Sequence, residues 1–264
     1  MAAPAIRDPD LEPTVHIHIR EEHVIPYEIM HLMRKTVHVT LPNPLATADE
    51  IHAHLVDQLN LALRRPGMFG GELALRILLD HLLFVERQPE AFNQQQQDWE
   101  DLGLWSAAGV TGTFRDLIPG HNYDYGMASV YAEFAQQRGW LKPDGVLADE
   151  AYEALKGRVR QWAREDRTWT DVTAEFGAPS VLFGGNNPLY GKTLGYLSKD
   201  PKQPMVVFHL WNGSEPGTES WPPEHEQPLL LAVRFGEGPF RRSFTFTPEG
   251  ERRKPTTAEP CLPQ

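Results

Sequence analysis

The pattern of apolar and polar positions changes twice along the chain. Thr14–Ile19 (TVHIHI) and Thr36–Leu41 (TVHVTL) alternate with period two, which puts Val15, Ile17 and Ile19 on one face of a first strand and Val37, Val39 and Leu41 on one face of a second. Near residue 46 the spacing becomes helical. Thr47-Ala48-Asp49-Glu50 has the form of a capping box, Ile51, Leu55, Leu59 and Ala62 follow on one face, and Pro66-Gly67 ends the helix. Glu72–Arg87 is apolar almost all round, which predicts a helix in the middle of a bundle. Further helices are predicted over about 90–102, 124–138, 149–164 and 171–176. Near residue 179 period two returns. Ser180–Phe183, Thr193–Leu197, Met205–Trp211, Pro228–Phe235 and Arg241–Phe246 read as strands, and with no helix-length segment between them they are expected to pair antiparallel.

The expected fold is α+β: a small β element over 1–45 packed on the body, a helical region over 46–177, an antiparallel sheet over 178–247 and a disordered tail over 248–264. Trp140, Trp162, Trp169 and Trp211 are expected at the seam of helices and sheet, because aromatics carry much of the buried area.

Charge narrows the partners. The formal net charge is −11 over 264 residues. That argues against unspecific binding to nucleic acid or to an anionic membrane, and it suits a basic partner. The lone cysteine, Cys261, supplies neither a disulfide framework nor a Cys-based zinc site. No apolar leader segment or run of 18 apolar residues is present, so a cytoplasmic location and no membrane span are expected. Nothing in the sequence implies a cofactor.

Several segments hold candidate chemistry. Phe183–Thr193 (FGGNNPLYGKT) narrowly misses the phosphate-cradling pattern G-x-x-x-x-G-K-[ST]: Gly191, Lys192 and Thr193 are in place, but Asn186 stands where the first glycine belongs. The residues after Thr193 do not promise the helix such a loop needs, so a turn between strands, or a ligand loop using Asn186, Asn187 and Lys192, fits better. Eight of the eleven histidines fall at or before His81. On the strand reading His16, His18 and His38 are neighbours, the arrangement a metal site requires, although a solvated sheet face gives the same pattern. His121–Asp124 (HNYD) is a polar cluster just before a helix, and His121 is a weak catalytic candidate alongside Lys192 and His209. Arg64–Gly71 (RRPGMFGG) resembles, over about six residues, the RPGM-Y loop of the gyrase-type ATPase family. That resemblance implies an Asn in the next helix for magnesium and a later Asp-x-Gly-x-Gly; neither is present, which leaves a shared turn.

Asn212–Gln227 (NGSEPGTESWPPEHEQ) separates two apolar strands by sixteen residues, far more than a hairpin needs. It carries Glu215, Glu219, Glu224 and Glu226 around Trp221, with no Lys or Arg. An aromatic anchor ringed by carboxylates suits docking on a basic protein. Two classes of function follow. The first is a bacterial cytoplasmic protein-binding protein of the immunity or antitoxin kind, with that loop as its docking surface. The second is an enzyme or small-ligand protein with a site between the helices and the sheet.

Overall fold

In a computed structural model, residues 46–120, 123–213, 224–236 and 238–255 are described. They belong to one unit beginning at Ala46. The alternating runs at 14–19 and 36–41 lie outside them.

The first helix, α1 (Ala48–Arg64), starts at the capping box. The Thr47 hydroxyl accepts from the Glu50 amide at 3.2 Å, and the Glu50 carboxylate accepts from the Thr47 amide at 2.8 Å. Pro66–Phe69 forms a one-turn helix, α2, closed by Gly70 at φ 99°. The ATPase-like segment is thus a helix-to-helix turn into α3 (Gly71–Val85). Then follow α4 (Ala91–Asp101), α5 (Gly109–Arg115), α6 (Tyr123–Gln137), α7 (Asp149–Trp162) and α8 (Trp169–Phe176). The α5 segment, GVTGTFR, has two glycines and no apolar period. Tertiary contacts hold it: the Glu72 carboxylate accepts from the Val110 and Thr111 amides at 2.9 and 2.8 Å and from the Tyr131 hydroxyl at 2.8 Å.

Five strands follow in antiparallel order: β1 (Val181–Phe183), β2 (Lys192–Tyr196), β3 (Val206–Trp211), β4 (Leu229–Arg234) and β5 (Phe244–Phe246). The fold is α+β, as the change of period predicts. The sheet is buried on both faces. Val181, Phe183, Val207 and Ala232 belong to the core shared with α1 and α3–α6. Leu194, Tyr196, Val206, Phe208, Leu210 and Val233 belong to a second core with α7 and α8. Trp162 packs edge-on against Phe208 at this second seam. Trp140 instead sits among helices, donating its indole hydrogen to Glu86 at 2.6 Å.

Two expectations are corrected. The tail is ordered at its start. Pro248–Arg253 forms α9, capped by Thr247 and packed on β4, where a Cβ on Gly250 would fall 1.8 Å from the Leu231 carbonyl oxygen. This close approach needs glycine, and its sequence gives no apolar period to announce it. Second, α3 is not enclosed all round. Leu75, Leu79, Leu82 and Leu83 are buried, whereas Leu73, Ile77 and Phe84 are 66%, 47% and 74% exposed.

Candidate functional site

Position in the sheet decides what Lys192 and His209 can do. Lys192 opens β2 rather than a helix, which removes the phosphate-cradling context. Its neighbour Thr193 pairs with His209 on β3. Successive residues of a strand face opposite ways, so Lys192 points into the α7–α8 core and His209 into the other.

Both side chains are enclosed. The Lys192 ammonium donates to the carbonyls of Asn187 at 2.8 Å and Gly185 at 3.3 Å, and lies 3.9 Å from the centroid of the Trp169 ring. Burial first, and the Arg65 guanidinium second, push it down to about 8. The lysine therefore pins the 184–190 loop from beneath. Asn186 and Asn187 are exposed above it, and the Asn187 side chain accepts from the Leu189 amide at 2.9 Å, a local turn. Lys192 thus meets Asn187 through its backbone carbonyl rather than through its side-chain amide.

His209 lies between Phe114 and Phe244, stacked on the latter at 5.6 Å. Its Nδ1 is 3.3 Å from the Thr193 hydroxyl, and its Nε2 has no hydrogen-bond partner among the described residues. Burial, then the charge of Arg234, hold it well below the usual imidazole range, so it is neutral. Among the described residues, His209 is enclosed and lies on the opposite face of the sheet from Lys192, so the two share no cleft. The double variant His209→Leu with Thr193→Val is therefore expected to change stability by less than about 1 kcal/mol, because both polar partners go together. The single variant His209→Leu, which strands the Thr193 hydroxyl, costs about 1–2 kcal/mol more. Urea unfolding of both proteins checks the pair.

A cleft of about 380 Å³ lies at the far end of the sheet, lined by Trp99, Phe134, Gln203, Phe240, Glu133 and Arg234. It contains none of the expected site residues. Of its three charged lining residues, Lys202, Glu133 and Arg234, the last two are paired: Arg234 donates to the Glu133 carboxylate at 2.8 Å and to the Ser129 hydroxyl at 3.2 Å.

The two long loops meet at the opposite end. Asn212, 9% exposed, staples them: its amide nitrogen donates to the carbonyls of Leu189 at 2.7 Å and His225 at 2.8 Å, and its oxygen accepts from the His225 amide at 3.1 Å. At the other end of the acidic segment, Gln227 accepts from the Thr170 amide and hydroxyl at the start of α8. Leu189 and Tyr190 are both more than a third exposed on the neighbouring loop. Glu226 is exposed, while Glu224 lies 3.7 Å from Arg253, whose guanidinium covers the Trp211 ring at 4.2 Å. Glu215, Glu219, Trp221 and His121 lie outside the described residues, as do His16, His18 and His38.

Sequence reasoning did not single out Asn212, Leu189 or Tyr190 as parts of this surface. The available signal for Asn212 was a polar residue at the junction of a strand and a long loop. The exposure of Leu189 and Tyr190 depends on the register that carries their loop outward. Among the described residues no group of three or more His, Cys, Asp or Glu is placed to hold a metal ion, and no helix is long and apolar enough to cross a membrane. No protein family, curated protein or solved structure matches the chain.

Proposed function

We propose that this chain is a bacterial cytoplasmic protein-binding protein, of the immunity or antitoxin kind, that docks the acidic 212–227 loop onto a basic protein partner. One observation carries the reading: a sixteen-residue acidic loop is fastened at both ends, by Asn212 and by Gln227, beside exposed Leu189 and Tyr190. Fastened ends lower the ordering cost of binding, and the exposed Leu189 and Tyr190 supply apolar contact beside the acidic segment. The carboxylates act mainly on encounter, attracting a basic surface over about a Debye length. Enclosure of Lys192 and His209 on opposite faces of the sheet makes the enzyme reading the weaker one.

The test begins with affinity capture from a bacterial lysate and continues with the purified partner. Changing Glu215, Glu219, Glu224 and Glu226 to Gln is expected to slow association about 10–100-fold at low salt and to flatten its salt dependence. Trp221→Ala is expected to speed dissociation instead. An association rate indifferent both to the glutamine changes and to salt removes the reading.

A further inference from the structure

The exposed side of α3 is one end of a larger apolar face. Helices α1 and α3 pack together, and the bond between His52 and Glu86 at 3.0 Å joins the start of α1 to the end of α3, so they run antiparallel. Their outer sides and the α2 turn expose Ile51, Leu61, Met68, Leu73, Ile77 and Phe84, each more than two-fifths accessible. Scattered exposed apolar residues need no explanation, but five on one adjoining pair of helices, with Met68 on the turn that joins them, mark an interaction surface.

Along α3 the sequence of that face selects its occupant. Leu73, Ile77, Asp80 and Phe84 recur at spacings of four, three and four, which places them in one stripe. Asp80 is exposed within it and has no hydrogen bond or ion pair among the described residues. A carboxylate inside an apolar contact is costly to cover unless a cation meets it. Arg76 flanks the stripe one turn earlier; it rests on the Trp105 ring at 5.1 Å and has no ion pair among the described residues.

The stripe fits a copy of itself run antiparallel. With a two-fold axis between Leu78 and Leu79, Leu73 meets Phe84 of the second copy, Ile77 meets Asp80, and each Arg76 reaches the other copy's Asp80. A two-fold contact repeats every pairing, so both carboxylates gain a guanidinium at once. The size is adequate for a reversible pair. A 15-residue helix is about 22 Å long and two helices side by side are about 20 Å wide, which buries on the order of 1,000 Å² between two copies.

We propose that the α1–α3 face is a self-association surface through which two copies of this chain pair antiparallel about α3. It is independent of the acidic loop, which lies on other elements. Sedimentation velocity of the full chain from about 1 to about 100 µM is expected to show the mass rising from 29.9 kDa toward twice that value. Phe84→Glu, at an exposed position that leaves the fold intact, is expected to weaken pairing more than about 10-fold. Arg76→Asp or Asp80→Arg alone is expected to weaken it about 3–10-fold, and the two together to restore most of it. With Cys261 replaced by Ser, the double variant Leu73→Cys, Phe84→Cys is expected to form an inter-chain disulfide on mild oxidation, since the two positions are about 16 Å apart within one helix. A chain monomeric at every concentration, a dimer indifferent to Phe84→Glu, or cross-linking by Leu73→Cys alone would each overturn the proposal.

Discussion

Glu133→Ala is expected to cost about 3–5 kcal/mol of folding stability, a large share of the about 5–15 kcal/mol available to a protein of ordinary stability. Glu133 lies on α6 and reaches across to the sheet. One oxygen accepts from Arg234 at 2.8 Å and the other from the Met205 amide at 3.1 Å. The Arg234 side chain is 8% exposed, and its Nε already lacks a partner. Removing the carboxylate leaves a buried guanidinium whose one remaining hydrogen-bond partner among the described residues is the Ser129 hydroxyl, with the Phe240 ring 5.9 Å away. The cost comes from the stranded charge rather than from the pair itself, so the double variant Glu133→Ala, Arg234→Met is expected to recover most of it. Denaturant midpoints of the single and double variants test this directly. A single-variant loss below about 1 kcal/mol would mean that water or the neighbouring cleft solvates Arg234 better than the geometry implies.

Lys192→Ala is expected to cost about 2–4 kcal/mol, from the cavity it opens against Trp169 and from the carbonyls of Gly185 and Asn187 that lose their donor. Lys192→Met keeps the aliphatic stem and should cost less. The pH dependence has a definite sign. Folding lowers this group from its ordinary 10.5 to about 8, so between these values the unfolded chain holds more of the proton than the folded one. The contribution of Lys192 is therefore fully present above 10.5 and is lost as pH falls through about 8. Relative to Lys192→Met, the wild-type protein should gain stability between about pH 7.5 and about pH 10. A difference that shrinks over this range would show that the Trp169 face and the two carbonyls stabilise the ammonium more than burial opposes it.

Much of the fold was legible because local and long-range preferences agree. Thr47 and Glu50 announce α1, and the return to period two near residue 180 marks the sheet. Elsewhere the determining contacts are tertiary. Nothing in ELALRILLDHLLFVE says which of its apolar residues stay uncovered, since that depends on how many helices pack around α3. The α5 turn exists because Glu72, far away in sequence, holds its amides. Helix α9 did carry a local sign, Thr247 followed by Pro248 as cap and first residue, but PEGERR offers no apolar face to accompany it. For the site, strand parity makes Lys192 and Thr193 point apart. Only the register that pairs Thr193 with His209 shows that the lysine and the histidine are separated by the sheet.

The proposed docking through the 212–227 segment is tested most directly by hydrogen–deuterium exchange of the chain with and without a purified basic protein captured by it. The account predicts slowed exchange over 184–190 and 212–227, with α1 and α3 unchanged by the partner at constant protein concentration. Protection confined to another surface, with both loops exchanging as in the free chain, would contradict it.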